Sequence, residues 1–472
     1  MRAMIAWPTV LFAPRLEGQV KIPCAKRLPF IISGLAFLEP ALTRIQFYNI
    51  TLVATALVLG SRFHLSEISI MWLKSKSIST LSYLFSHAKF STKKMQTLYL
   101  LQMLKRYSIR DGYFLIDDTM NHHTKFCQWI HGVFILFDHA LGTNLKATCV
   151  VFLYYSDGFN VKFPITFRIY YKGTGKLMPW QLGKQRECKT KYDLAIEMLE
   201  WALHHGFPKC IVLADSWYGI APFVKELKRL HLGYVLEIKS DRNVKVPCQE
   251  VKLTPQGRVA KRQFDTMSLP QYFKTLSASI RCGFPADLDK NRPEKVLYVL
   301  KVATAALTAI PGRHRIVESI DPSSQTAKYL VTDQLAWEAI KIFSVYSQRW
   351  TIEEFFRNAK QLTDMEGAMI RSEQGVTLAL CLVSWLDSLL HLENYAQCTA
   401  EKLPKESVTI PSIVRKAQDE NLQAFIERVR QDDEFAQTWV DIHRESIERK
   451  RRPRKPLAPL QEITETSQEE AA

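Results

Sequence analysis

Between residues 113 and 238, short apolar runs and helical periods follow one another, and this succession constrains the fold more than any other feature of the chain. The strand-like runs are 113–116, 132–137, 148–155, 163–171, 210–214 and 234–238. The segments with a helical period are 192–205 and 220–230. Strands followed by alternating helix and strand predict an α/β fold with a mixed sheet.

The segment before this pattern, residues 1–110, is expected to be helical. Leu65, Ile68 and Trp72 stand at helical spacing, a Lys-Ser turn follows, and the period restarts at Ile78 and Leu81. Two short helices around a tight turn are typical of a helix-turn-helix, the arrangement that places a helix in the major groove of DNA. We therefore predict a DNA-binding region there.

Charge supports a polyanionic partner, because it is concentrated in two segments. The chain has 63 Lys and Arg against 47 Asp and Glu, a net charge of +16. Residues 68–110 contain eight basic and no acidic residues, and residues 241–328 contain 15 basic and eight acidic ones, so the two segments contribute +8 and +7. Basic residues concentrated in two segments indicate a nucleic-acid partner more strongly than an evenly distributed positive charge would. A helical bundle with a solvated basic face is the alternative for residues 68–110.

Membrane and zinc proteins fit the sequence poorly. The apolar stretch 45–60 is shorter than the roughly 20 residues of a spanning helix and contains Gln46 and Asn49. The nine cysteines lie at least 17 residues apart, so no C-x-x-C pair exists. We expect a cytoplasmic protein without a membrane partner.

The remaining segments complete a domain plan. Residues 111–240 form the first part of the α/β core, and residues 241–330, rich in Val, Thr, Pro and Gly, form an all-β insertion. Residues 331–395 return to the core, 396–450 form a helical C-terminal region, and 451–472 form a basic and then acidic disordered tail. The helical stretch 378–449 is a candidate for a dimer contact.

Two aspartates follow apolar strands, where open α/β sheets present functional groups. Asp117 follows the run FLI and Asp215 follows IVLA. Each signal is weak by itself, because Asp begins many turns.

A third acid has a more specific setting, the segment YSQRWTIEEFFRNAKQ at 346–361. At about 100° per residue, one helix through this segment places Tyr346, Arg349, Glu353 and Lys360 near 0°, 300°, 340° and 320°. One polar stripe would then carry a carboxylate between two cations and a tyrosine, and the apolar residues would face a core. Glu354 lies about 100° away from Glu353 and is expected to be an ordinary surface acid.

The spacing Y-x2-R-x3-E-x6-K resembles the signature around the catalytic glutamate in a large group of bacterial insertion-sequence DDE transposases. The similarity covers roughly residues 28–394 and includes Asp-x-Thr at 117–119 and the strand that runs into Asp215. The resemblance implies a ribonuclease-H-like core that is interrupted by the β insertion and preceded by DNA-binding helices.

The resemblance also implies a metal-dependent site. Phosphodiester chemistry needs an activated nucleophile and a stabilised leaving oxygen, and two Mg²⁺ ions held by carboxylates meet both needs, with Mn²⁺ as a substitute. The expected metal ligands are Asp117, Asp215 and Glu353. Asp118 is the alternative to Asp117, since strand alternation points only one of them inward.

The same resemblance gives roles to the rest of the stripe. Arg349 and Lys360 are expected to grip backbone phosphates, and Tyr346 to position that DNA. Some relatives use an insertion tryptophan to stack on an extruded base, but residues 241–328 contain none. Phe264, Tyr272 or Phe273 would have to serve instead.

The expected function is a transposase that binds the terminal inverted repeats of its element, cuts double-stranded DNA there and joins the ends to target DNA as a homodimer. A ribonuclease-H-like nuclease specific for DNA structure and a catalytically silent DNA-binding derivative are the alternatives. Inverted repeats beside the coding sequence would separate the first two.

Overall fold

The computed structural model describes residues 22–124, 127–138, 141–172, 178–181, 188–248, 256, 264–283, 298–321, 324–402 and 408–451. Residues 1–21 and the expected tail from residue 452 onward lie outside these ranges.

Five helices precede the sheet. They are α1 (Pro29–Gly34), α2 (Arg44–Val58), α3 (Leu65–Met71), α4 (Ile78–Ser86) and α5 (Thr92–Tyr107). The turn between α3 and α4 contains Leu73 and Lys74 at positive φ, and the Ser77 hydroxyl caps α4 by accepting the Thr80 N–H. The two short helices and the tight turn expected from the sequence are therefore present.

The central part of the chain forms a mixed sheet with helices. Its strands are β1 (Tyr113–His122), β2 (Val133–Asp138), β3 (Thr143–Ser156), β4 (Lys162–Ile169), β5 (Ile211–Ala214) and β6 (Tyr234–Ile238). The helices between strands are α6 (Lys191–His204) and α7 (Ala221–Arg229). Strand β1 is antiparallel to β3 and parallel to β5, β5 is parallel to β6, and β4 pairs with β3. The mixed α/β sheet expected from the sequence is confirmed.

Residues 241–330 extend the same sheet. The described strands are β7 (Asn243–Pro247), β8 (Phe264–Ser268), β9 (Ile280–Cys282), β10 (Tyr298–Leu307), β11 (Arg313–Ile320) and β12 (Ala327–Thr332). Strand β12 pairs with β6, and the order continues as β11, β10, β7 and β8. The expectation of an all-β insertion is wrong in one respect, because a short helix, α8 (Leu269–Lys274), follows β8. It begins there because Ser268 and Gln271 form a capping box.

The C-terminal helices are α9 (Ala339–Ser347), α10 (Trp350–Leu362), α11 (Glu373–Ala400), α12 (Ile410–Gln431) and α13 (Asp433–Arg451). Helix α11 lies in the interior and packs against α1, α4, α5, α10 and β4. Its residues 375–390 are buried except for Thr377, which is half-buried. The N-terminal helices and the sheet thus share one hydrophobic core, which is built around α11.

The burial of α11 corrects two expectations. Residues 378–390 are enclosed by the chain's own elements, so this part of the proposed dimer stretch is not available to a second copy. Helix α11 is also long and apolar enough to cross a membrane, which the sequence reading did not notice, but 83% of its most apolar window is buried inside the protein. We therefore interpret α11 as a core helix.

Candidate active site

Two aspartates lie side by side on neighbouring parallel strands. Ile116 of β1 is paired with Ala214 of β5, so Asp117 and Asp215 come next in step on the two strands. Strand β5 ends at Ala214, as expected, and the backbone N–H of Trp217 donates to Asp215 Oδ1 at 3.0 Å. The expectation that Asp117 ends its strand is wrong, because β1 continues to His122.

The third acid, Glu353, lies in the first turn of α10. The helix is held by the buried residues Ile352, Phe355, Phe356 and Ala359. Phe355 packs with its ring centre 5.1 Å from that of Phe152 and 5.3 Å from that of Tyr154, both on β3. Because β3 also pairs with β1, this packing fixes Glu353 beside the strand that carries Asp117.

The predicted stripe is not on one helix. Tyr346 belongs to α9, the chain turns at 348–349, and Arg349 is the N-cap residue of α10. The 3.6-residue period continues nearly unbroken through this turn, which is why one helix was expected. Glu354 is half-buried and lies 3.2 Å from Lys162 Nζ in an ion pair.

Arg349 lies between two of the acids. Its Nη1 donates to Asp117 Oδ2 at 2.8 Å, and its Nη2 donates to Glu353 Oε1. The arginine side chain is 13% exposed, so water screens these bonds weakly. The guanidinium therefore joins the strand acid to the helix acid.

The pKa values of the two strand acids are raised, mainly because both are buried. Burial raises the pKa of Asp117. The neighbouring carboxylates of Asp215 and Asp118 raise this pKa further, whereas Arg349 lowers it. Burial also raises the pKa of Asp215, again against Arg349. Two clustered carboxylates that hold protons above their usual range are a common feature of sites built for a cation or for proton transfer.

The donor set fits a hard divalent cation, since three carboxylates supply the oxygen ligands that Mg²⁺ prefers. In the arrangement present, however, no group of three acidic, histidine or cysteine side chains among the described residues is placed to hold a metal ion. Arg349 occupies the space between Asp117 and Glu353 instead.

Asp118, the alternative to Asp117, has a partner that the sequence reading missed. Lys191 Nζ donates to Asp118 Oδ2 at 2.7 Å, and each side chain is 16% exposed. Cys149 Sγ lies 3.4 Å from the same oxygen. The capping box at Thr190 and Asp193 signals where α6 begins, but no local pattern shows that this helix starts beside β1.

The two other residues of the predicted stripe are engaged within the protein. Tyr346 is 7% exposed and donates its hydroxyl to Glu237 Oε2 at 2.9 Å, at the end of β6. Lys360 Nζ donates to the Met120 carbonyl at 2.7 Å and lies 2.8 Å from Glu366 Oε1.

The aromatic residues expected to stack on a base differ in exposure. Phe273 is fully buried, so it is wrong as a candidate. Tyr272 is half-buried, and Phe264 is half-buried with Lys245 Nζ 4.8 Å from its ring centre. These two remain compatible with the prediction.

Comparison with known families agrees with this geometry. Residues 57–278, which include Asp117 and Asp215, match the family model described as a DDE superfamily endonuclease. Residues 187–386, which include Glu353, match the model described as a transposase DDE domain. Together the two matches support a DDE transposase, with DNA as its partner. The comparison with curated proteins gives no match.

Proposed function

We propose that the protein is a transposase that binds the terminal inverted repeats of its element, cuts the DNA there and transfers the ends to target DNA. The observation that carries the proposal is the convergence of Asp117, Asp215 and Glu353 from two adjacent parallel strands and one helix. The two overlapping family matches contain all three.

The strand order supports a ribonuclease-H-like core. Strand β3 is antiparallel to both β4 and β1, and β5 and β6 continue on the other side of β1, parallel to it. This order places the first acid on the central strand and the second on its parallel neighbour. The C-terminal ends of parallel strands are where α/β sheets bind ligands.

The chemistry assigned to the site uses these residues as follows. Asp117, Asp215 and Glu353 would hold one or two Mg²⁺ ions, which supply Lewis-acid stabilisation to the attacking and leaving oxygens of a phosphodiester when bound. Asp118, already paired with Lys191, is left out of the ligand set. Arg349 and Lys360 are assigned to backbone phosphates, and Tyr346 keeps α9 against β6 through Glu237.

The N-terminal helices are assigned to the recognition of the DNA ends. Seven of the eight basic residues in 68–110 are exposed. Helix α4 presents Ile78 and Tyr83 to solvent, 51% and 60% exposed, which leaves its outer face free for a DNA groove. Residues 89–94, which follow α4, contain Lys89, Lys93 and Lys94, and their positive charge is suited to phosphate contact.

Cutting and joining both element ends requires two active sites, so we assign a homodimer in the DNA complex. Because the first half of α11 is buried, the exposed surfaces of α12 and α13 are the remaining part of the C-terminal candidate. We place this activity in the cytoplasm.

The test uses the protein with the DNA that flanks its coding sequence. Glu353→Gln should abolish Mg²⁺-dependent cleavage by at least about 1000-fold and leave DNA binding intact, because it removes a ligand but no DNA contact. Glu354→Gln is the matched control: it changes the adjacent carboxylate, whose partner is Lys162, and should keep most of the cleavage. A Lys93→Glu, Lys94→Glu variant should instead lose end binding.

Cleavage that survives Glu353→Gln contradicts the site. Cleavage of branched DNA without any strand transfer, from a gene that lacks flanking inverted repeats, favours the nuclease alternative. Absence of cleavage in the unsubstituted protein with normal DNA binding favours the silent derivative.

A further inference from the structure

The guanidinium of Arg349 occupies the space that a shared metal ion would need. It donates to Asp117 Oδ2 and to Glu353 Oε1, one oxygen from each side of the site. Its own Nε is buried and has no acceptor, so the side chain is fixed mainly by these two carboxylates.

A divalent cation and this guanidinium compete for the same oxygens. Mg²⁺ binds carboxylate oxygens at about 2.1 Å and requires a nearly octahedral shell. The guanidinium nitrogen 2.8 Å from Asp117 Oδ2 uses a lone-pair direction that the ion would need, and two positive charges so close together repel each other.

We propose that Arg349 is a positioning residue that holds Asp117 and Glu353 in the metal-free protein and must release both before a divalent cation can enter. This inference rests on the proposed metal site. The arginine stands at the turn between α9 and α10, where it is the N-cap residue of α10 and belongs to the body of neither helix. Once it has released the two acids, the guanidinium of Arg349 can donate two parallel N–H bonds to a phosphate.

The consequence is that the protein binds a divalent cation more weakly than the same three acids would without Arg349. Only the fraction of molecules in which Arg349 has withdrawn can bind the ion, and the apparent dissociation constant rises by the inverse of that fraction. If the paired state holds about nine molecules in ten or more, removal of the guanidinium tightens binding by at least about tenfold.

The experiment titrates Mn²⁺ into the full-length protein without DNA and follows the free ion by electron paramagnetic resonance. We expect Arg349→Gln to bind Mn²⁺ at least about tenfold more tightly than the unsubstituted protein. Arg349→Lys should lie in between, because an ammonium cannot bridge both carboxylates as a planar fork does. Lys360→Gln is the matched control for charge alone: it removes a cation from the same helix whose partners are Met120 and Glu366, and it should change affinity by less than about threefold.

The outcomes separate this inference from the function on which it rests. Equal or weaker Mn²⁺ binding by Arg349→Gln, with cleavage that depends on Glu353, overturns the inference and leaves the function standing. An equal gain in the Lys360→Gln control also overturns it, since general electrostatics would then suffice. If no form binds Mn²⁺, the metal site and the inference both fail. Should Arg349→Gln not fold, a Mn²⁺-bound crystal structure of the unsubstituted protein decides: Arg349 still bonded to both acids contradicts the inference.

Discussion

A buried carboxyl on α11 should make the stability of the protein depend on pH. Asp387 lies on α11, is 4% exposed, and accepts a hydrogen bond from the Tyr154 hydroxyl at 3.0 Å. Burial raises its pKa to about 7, with Glu354 adding to the rise, while the Tyr154 bond and Lys162 oppose it. His391 lies 3.8 Å away but stays neutral, because burial lowers its pKa to about 3.

The direction of the pH dependence depends on how many protons the folded and the unfolded chain bind. Between about pH 4 and pH 7 the folded protein holds a proton on Asp387 that the unfolded chain has lost, so stability falls as pH rises through this range. A rise from 3.8 to about 7 corresponds to about 4 kcal/mol of unfolding free energy that is present at pH 4 and lost by pH 8.

Asp387→Asn removes the ionisation and keeps an acceptor for Tyr154. Relative to the unsubstituted protein, the variant should therefore gain about 4 kcal/mol more at pH 8 than at pH 4. Urea unfolding at the two pH values measures this difference. The raised pKa of Asp117 affects both proteins and cancels.

Asp419→Asn, on the exposed face of α12, is the control and should shift stability equally at both pH values. If Asp387→Asn also shifts stability equally at the two pH values, the folded protein does not hold the extra proton on Asp387, and the reasoning is contradicted.

Two further substitutions test the surroundings of the site. Lys191→Met leaves Asp118 without its partner in a setting that is 16% exposed, so it should lower the unfolding free energy by about 3 kcal/mol in urea, and adding Asp118→Asn should restore part of the loss. A double variant no more stable than the single one would show that the pair is not the cause. Gly219→Ala brings a methyl group to 2.5 Å from the Glu237 carbonyl oxygen and shifts the loop that starts at Asp215, so cleavage should fall about 100-fold with end binding unchanged. Cleavage at the original rate would mean that the loop yields elsewhere.

The strands of the core could be predicted from sequence because their apolar runs are uninterrupted. Strand β1 was predicted too short: its second half is the polar stretch DDTMNH, and it stays extended because β3 pairs with it over ten residues. A partner strand 25–35 residues away in the chain supplies the pairing that local hydrophobicity does not indicate. The helix break at Gln348 was missed for the opposite reason, since both sides keep the same period.

The sequence singles out three acids that lie close together in the structure, but it does not indicate their partners. Asp117, Asp215 and Glu353 follow from strand ends and from a specific spacing, whereas Lys191 reaches Asp118 from a helix 73 residues later. The buried role of α11 was also hidden, because a continuous apolar helix fits a core, a membrane and a dimer equally well by composition. Only the packing of α1, α4 and α5 on it distinguishes these cases.

That packing has a consequence for the order in which the chain becomes stable during synthesis. The apolar faces of α1, α4 and α5 find their partner in α11, which begins about 266 residues after α5 ends. At roughly 5–20 residues per second, the ribosome needs about 13–53 s to produce the intervening chain. During that interval α1, α4 and α5 lack the helix that completes their interior, so the DNA-end binding proposed for this region becomes possible only after α11 has been made.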